Sequence, residues 1–272
     1  MSSTTVAETT LPSISIAGID VCRLIIGGNP FSGFSHQSSA RSQEMRDWYT
    51  DERIVDTLLE AEGLGVTTCL ARCDDHIRRV TAKYWAAGGR MNWIAQTESQ
   101  EDSVVSARRA ADHGAAACYM HGGVVDNHIL NGSEERVSDF AAAVRELGLP
   151  VGIAGHLPQD FVWAEENLEL DFYMVCYYDP SPRTKSPHHD EKAAETYLES
   201  DRDVRVATIL QLSKPVIHYK IFAAGRNDPE QSFAYAAAQM RAGDAVCIGV
   251  FTKDDPQMLS TDVALFSKYL TP

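Results

Sequence analysis

The residues best suited to chemistry lie in one short stretch, 214–226 (KPVIHYKIFAAGR), an apolar run that ends in small residues. Successive side chains of a β-strand point to opposite faces, so His218 and Lys220 are expected to share a face with Val216 and Phe222. We expect this face to be the inner one. An imidazole and an ammonium group would then lie just before a small-residue loop, an arrangement typical of a site.

The opposite face of the same stretch carries Ile217, Tyr219 and Ile221 and is apolar enough to pack beneath helices. The alternative without a functional role is that either His218 or Lys220 lies above the core in solvent. An imidazole that titrates near neutral pH and a lysine next to it would otherwise suit proton transfer or, for a lysine of depressed pKa, Schiff-base chemistry.

Composition limits the classes of function. The chain has 272 residues, a net charge of -14 and 44% hydrophobic residues, enough for one large core. The acidic balance argues against nucleic acid or an anionic membrane as a partner. No apolar run approaches the ~20 residues that span a bilayer, and residues 1–10 lack the features of a secretory signal. The expected partner is a small-molecule substrate, and a homo-oligomer is left open.

Six cysteines are present, and four of them lie inside apolar strand-like runs. These four are Cys69, Cys118, Cys176 and Cys247. Small buried thiols belong in such runs, and this pattern is not that of a disulfide framework. The expected compartment is therefore reducing and cytoplasmic.

Strand and helix patterns alternate eight times along the chain. Strands are predicted at 23–28, 66–72, 92–97, 115–121, 151–156, 171–179, the stretch described above and 245–252. The first helix is predicted to begin near residue 51, and the sixth to end near residue 212. The other helices are predicted at 74–87, 101–113, 133–147, 158–167, 229–242 and 256–269. Eight such units predict an α/β fold, a single (β/α)8 TIM barrel over 20–272, rather than an open doubly wound sheet. Residues 1–19 are predicted to be a lead-in, and a loop insertion is predicted at about 180–191.

In such a barrel the chemistry lies at the C-terminal ends of the strands. The residues predicted to be catalytic there are His121, His156, His218 and Lys220. Those predicted to bind substrate are Asn29, His36, Arg72, Asp74, Gln96, Glu98, Tyr178 and Arg226. Three of only nine histidines end strands, which favours acid–base chemistry. The two arginines would hold a carboxylate or phosphate.

The favoured hypothesis is a non-redox enzyme, a lyase, isomerase or hydrolase, acting on a small polar molecule such as a sugar derivative or hydroxy acid. A variant uses a divalent metal held by His121, His156, His218 and Glu98, although no close two-histidine motif supports it. The insertion at 180–191 is equally well interpreted as a lid or as a solvated insertion or oligomer contact.

Several segments resemble the aldo/keto reductase family. They are the strand and loop Ile25-Ile26-Gly27-Gly28-Asn29-Pro30-Phe31, the helix at 54–65, the strand Ala117-Cys118-Tyr119-Met120-His121-Gly122, and the last strand with its loop at 245–252. The resemblance implies a (β/α)8 barrel, a nicotinamide cofactor, and an Asp, Tyr, Lys and His tetrad. Only His121 matches a tetrad position.

The other tetrad positions depart from the family pattern. The lysine position reads Gln96-Thr97-Glu98, and the strand-two end reads Arg72-Cys73-Asp74-Asp75-His76 without a tyrosine. At the strand-five end, His156 replaces a nicotinamide contact. The second hypothesis is therefore an NADPH-dependent reductase with a rearranged tetrad, Arg226 and Lys253 holding the cofactor phosphates. A third is a non-catalytic small-molecule binding barrel.

Overall fold

The computed structural model describes residues 11–178, 181, 185–188 and 195–270. Its strands are β1 (Ser13–Ile16), β2 (Ile19–Cys22), β3 (Leu24–Gly27), β4 (Thr68–Arg72), β5 (Asn92–Gln96), β6 (Ala117–Met120), β7 (Val151–Gly155), β8 (Phe172–Cys176), β9 (Val216–Tyr219) and β10 (Ala245–Ile248). Its helices are α1 (Ser39–Trp48), α2 (Asp51–Gly63), α3 (Asp75–Ala86), α4 (Ser103–His113), α5 (Gly122–Leu130), α6 (Glu135–Glu146), α7 (Pro158–Asn167), α8 (Glu199–Ile209), α9 (Pro229–Gln239) and α10 (Met258–Tyr269).

Strands β3 to β10 form one closed parallel barrel, in which β10 pairs with β3. Each strand pairs with its neighbour in the chain, and helices cover the outside of the barrel. This confirms the predicted (β/α)8 barrel. Its C-terminal strand ends form one mouth, so residues far apart in sequence can meet there.

A hairpin that the sequence did not predict precedes the barrel. β1 and β2 pair antiparallel, and Ile14 and Ile16 pack with inward-facing barrel residues such as Ile25. The side chain of Asn92, the first residue of β5, donates to the main-chain oxygen of Asp20 in β2. The hairpin therefore covers the N-terminal end of the barrel, opposite the mouth.

Two further helices, α1 and α5, were not predicted from the sequence. α1 is polar, with only Ser42 and Met45 buried, so it has little apolar periodicity to reveal it. α5 begins at Gly122, directly after β6, and its first five residues are buried. Its N-terminal turn lies against the end of β7, and that position matters for the site described below.

The predicted inner face of β9 is wrong. Ile217 belongs to the barrel interior, and Tyr219 packs against the same interior cluster, whereas His218 points outward and is fully buried beneath the helices. Its Nδ1 lies 2.9 Å from the Tyr177 hydroxyl, and its Nε2 lies 3.4 Å from Asp244 Oδ2. Both faces of a barrel strand are buried, so an apolar pattern does not say which one points inward.

Asp244 organises this outer layer. Its carboxylate accepts hydrogen bonds from the main-chain N–H of Val216 and from the guanidinium of Arg241, and the residue is fully buried. Burial alone would raise the pKa of Asp244, but hydrogen bonds from His218 and Arg241 outweigh burial and hold that pKa well below its usual value. The carboxylate therefore ties the starts of β9 and β10 to the turn before β10.

All six cysteines are buried free thiols. Among the described residues, no helix is both long enough and apolar enough to cross a membrane.

We expect Asp244→Ala to lower the free energy of unfolding by about 3–5 kcal/mol, because it leaves the buried imidazole of His218 and the N–H of Val216 without an acceptor and the partly exposed Arg241 without its counter-charge. Urea denaturation at neutral pH measures this loss. Glu230→Ala, which removes an exposed carboxylate paired with Lys268, is the control and should barely move the midpoint. Equal losses for the two variants would contradict the role given to Asp244.

Candidate active site

A cavity of about 530 Å³ opens at the mouth of the barrel, within the usual size range of small-molecule sites. Its wall combines the ends of β3, β4, β5, β9 and β10 with the loops that follow β3, β9 and β10 and with α10. Polar side chains on this wall include Asn29, Arg72, Gln96, Tyr219, Lys220 and Asp262. The cavity runs from the barrel floor at Tyr219 to α10 at Asp262, so it has an inner and an outer end.

The structure brings only some of the predicted site residues to this cavity. Those on its wall are Asn29, His36, Arg72, Gln96 and Lys220. Those away from its described wall are His121, His156, His218, Asp74, Glu98, Tyr178 and Arg226. Of this second group, His156 contacts the wall residue Tyr219 directly.

Helix capping accounts for two of the displaced residues. The Nδ1 atom of His121 accepts from the main-chain N–H of Gly123 and caps α5. Asp74 caps α3 by accepting from the N–H of Ile77 at 2.8 Å. Both side chains are held back against their own helices.

Ion pairs and hydrogen bonds hold three more of the predicted residues away from the cavity. Glu98 lies 3.1 Å from Arg109 and 3.5 Å from Arg72, behind the cavity wall. Tyr178 is buried and accepts from Asn227. Arg226 donates to main-chain oxygens in its own loop and in the loop after β3, so its guanidinium braces these loops.

A buried chain of three side chains reaches the cavity floor. Asp126, in α5, lies 2.6 Å from Nδ1 of His156 and also accepts from the main-chain N–H of His156 at 3.0 Å. The other ring nitrogen, Nε2, lies 3.3 Å from the hydroxyl of Tyr219. A carboxylate can only accept, so Asp126 fixes the proton on Nδ1 and leaves Nε2 facing Tyr219.

A second carboxyl stands behind the first. Asp160 hydrogen-bonds to Asp126, accepts from the N–H of Leu157 and is fully buried. Burial and the nearby charge of Asp126 raise the pKa of Asp160 to about 9. Two adjacent buried carboxyls cannot both ionise easily, so Asp160 holds the proton and Asp126 holds the charge.

The Tyr219 hydroxyl lies at the inner end of the cavity. Burial raises the pKa of the Tyr219 hydroxyl well above its usual 10, so this group stays protonated at neutral pH. The Cys176 thiol hydrogen-bonds to His156 and to Tyr219. A hydroxyl with so high a pKa gives up its proton readily only when a positive charge nearby lowers that pKa, and Lys220 and a protonated His156 are placed to supply that charge.

Lys220 reaches the same cavity because the strand ends there. Its backbone φ of 58° is left-handed, which breaks the alternation that would place it opposite Tyr219. Ala223, Ala224 and Gly225 in the same loop also have positive φ values. Non-glycine residues in this region cost about 1–3 kcal/mol each, and such strain concentrates at functional sites.

The described residues contain no group of three or more His, Cys, Asp or Glu side chains that could hold a metal ion. The predicted ligand set fails on geometry, because His218 lies outside the barrel wall while His156 lies at its mouth. The predicted lid at about 180–191 falls mostly outside the described residues and stays a prediction.

Sequence analysis missed Tyr219, Asp126, Asp160 and Asp262. Tyr219 was assigned to the wrong face of its strand. The two buried carboxyls belong to α5 and to the first turn of α7. The only sequence signal for Asp126 was an acid within the apolar segment that follows His121.

We expect Asp160→Asn to be at least as stable as the wild type at pH 6, because the amide can still accept from Leu157 and donate to Asp126 and has no proton to lose. In the wild type, the raised pKa of Asp160 gives stability that is complete below about pH 4 and is lost as the pH rises through about 9. The variant should therefore lose less stability between pH 6 and 9 in urea titrations. Asp126→Asn, the paired variant, should be clearly destabilised at pH 6. Equal losses for both at that pH would refute the assigned protonation states.

Comparison with known proteins gives matches among solved structures only, since no family model and no curated protein matches the chain. A Pseudomonas aeruginosa protein assigned as an aldo-keto reductase is 18% identical, with a TM-score of 0.64, and the match covers 96% of this chain and 98% of that one. A Bombyx mori aldo-keto reductase solved with NADP is 10% identical, with a TM-score of 0.60, covering 96% and 90%.

These neighbours correct the functional expectation. The lyase, isomerase or hydrolase favoured from the sequence is not retained, because most of the solved structures that match nearly the whole barrel are described as reductases; a Thermotoga maritima 3-deoxy-D-arabino-heptulosonate 7-phosphate synthase shares the barrel at a TM-score of 0.51. The redox alternative is better supported. Identities of 10–18% establish the fold alone, and at that level the chain is an aldo/keto reductase-like (β/α)8 barrel protein with non-standard residues at the tetrad positions.

Proposed function

We propose that the chain is a nicotinamide-dependent oxidoreductase that reduces the carbonyl group of a small polar substrate, with Tyr219 as the proton donor. The observation that carries the proposal is the chain Asp126–His156–Tyr219, which ends at the floor of the cavity. Lys220 lies on the same wall.

The residue types support this choice. The tetrad implied by the family resemblance consists of Asp, Tyr, Lys and His. The usual positions lack three of these types, yet Asp126, His156, Tyr219 and Lys220 supply all four from α5, the end of β7 and the end of β9. We infer that the tetrad has moved around the barrel mouth.

The cavity is compatible with a nicotinamide dinucleotide. Barrels often bind phosphate at the loops after strands seven and eight, and those loops form much of this wall. Lys220 has no carboxylate partner within the described part of the chain and would face an anionic group. Asn29 and Gln96 offer amides for a carboxamide or hydroxyls. Two silkworm neighbours were solved with NADP and NADPH.

Two residues assigned to the cofactor phosphates from the sequence do not support that role. Arg226 is held by main-chain oxygens away from the described wall. Lys253 lies 2.6 Å from Glu44 and is largely exposed. If the cofactor binds here, main-chain groups and Lys220 must take over the contacts to its phosphates.

The mechanism follows from the proton positions. A nicotinamide held near Asn29 and Gln96 would supply a hydride for the carbonyl carbon, and Tyr219 would donate its hydroxyl proton to the carbonyl oxygen. When His156 is protonated on both ring nitrogens, Nε2 returns a proton to the Tyr219 oxygen, and a proton from solvent restores the imidazolium. Asp126 stabilises the positive charge of a protonated imidazole, and the Lys220 ammonium stabilises negative charge developing on the oxygens.

We expect Tyr219→Phe to reduce kcat by about 100-fold or more, since a positioned general acid contributes about 10²–10⁴. Cofactor affinity should change little. The matched control is Tyr177→Phe, which removes a hydroxyl bonded to His218 on the outer side of the barrel. That variant should lose stability but keep kcat. Steady-state reduction of 4-nitrobenzaldehyde and of 2-oxo acids measures both, and an active Tyr219→Phe enzyme would contradict the proposal.

Fluorescence titration with NADH and NADPH tests the cofactor directly. Saturable binding of either one in the micromolar range is the expected result. If neither binds at millimolar concentration, the chain is not a nicotinamide-dependent enzyme.

A further inference from the structure

One buried carboxyl at the outer end of the cavity takes no part in the chemistry above. Asp262, in α10, is 4% exposed and lies on the cavity wall. No hydrogen bond or ion pair joins it to any described residue. Burial, with a smaller contribution from Asp255, raises its pKa to about 7. Its carboxyl lies on the cavity wall, so it is available to a hydrogen-bond donor on a bound ligand.

The chemistry of that partner is restricted. Above its pKa of about 7 Asp262 is a carboxylate, which accepts hydrogen bonds, so it then suits hydroxyl or amino groups and repels a phosphate. The surface beside it is apolar, since Met258 and Phe251 lie on the same wall. A nucleoside, with a flat base and ribose hydroxyls, combines the features that such a surface recognises.

Cations at this end are already neutralised. Arg41 pairs with Glu44 and Asp254, and its guanidinium lies 4.4 Å from the ring centre of Phe251. Lys253 pairs with the same Glu44 at 2.6 Å. Two positive and two negative groups thus form a closed network. A ribose 2′-phosphate would have to break it and also approach Asp262.

We propose that Asp262 accepts hydrogen bonds from the ribose hydroxyls of the adenosine half of the cofactor, so that the protein binds NADH in preference to NADPH. The inference rests on the proposed function, because it places a nicotinamide cofactor in this cavity with its reactive end at Tyr219. It adds a distinction that the fold neighbours solved with NADP and NADPH would not suggest. A carboxylate at a ribose 2′-hydroxyl is the general device that selects unphosphorylated dinucleotides.

The test measures dissociation constants for NADH and NADPH by fluorescence titration of the wild type, Asp262→Asn and Asp255→Asn at about pH 8.5, where Asp262 is ionised. The wild type should bind NADH at least about ten-fold tighter than NADPH. Asp262→Asn should weaken the binding of NADH, strengthen the binding of NADPH and bring the ratio of the two dissociation constants near unity. Asp255→Asn removes the same charge from an exposed position in the loop before α10 and should leave the ratio within about two-fold.

Circular dichroism confirms that each variant is folded, and displacement of bound NADH by ADP-ribose checks the adenosine contact without hydride transfer. Tighter binding of NADPH than NADH by the wild type, or an unchanged ratio in Asp262→Asn, would overturn this inference while leaving the proposed function standing. Binding of neither cofactor would overturn both.

Discussion

The hydrogen bond between Asp126 and His156 is the contact on which the site depends. At 2.6 Å it fixes the imidazole tautomer, and the main-chain N–H of His156 binds the same carboxylate. Asp126 keeps its charge because Asp160 beside it holds the proton. Without this arrangement Nε2 would have no fixed role, and Tyr219 would be one buried hydroxyl among several.

The barrel wall separates two groups of identical composition. Outside the wall, Asp244, His218 and Tyr177 are hydrogen-bonded in that order, and the described cavity does not reach them. Inside the mouth, an Asp, a His and a Tyr are joined in the same order, but the tyrosine faces the cavity. Residue types and bonding alone therefore do not define an active site. An active site also needs access to a ligand. Because side chains alternate along a strand, Tyr219 faces the cavity and its neighbour His218 does not.

The barrel could be predicted because eight strand–helix units with turn residues between them leave few other topologies. The site was predicted less well. Asn29, Arg72 and Gln96 reach the cavity as expected. His218 does not, because a strand buried on both faces gives no apolar alternation to orient it. Asp126 could not be assigned either, since its role depends on α5 folding back onto β7.

Charge varies along the cavity, with Lys220 at the inner end and the buried carboxyl of Asp262 at the outer end. A dinucleotide that spans the cavity would place its hydride-donating ring beside Tyr219 and a nucleoside beside α10. A crystal structure of the protein soaked with NADH tests this account most directly. The account predicts the nicotinamide ring in van der Waals contact with the Tyr219 hydroxyl, whereas a cofactor bound outside the cavity, or with its ring at the α10 end, would contradict it.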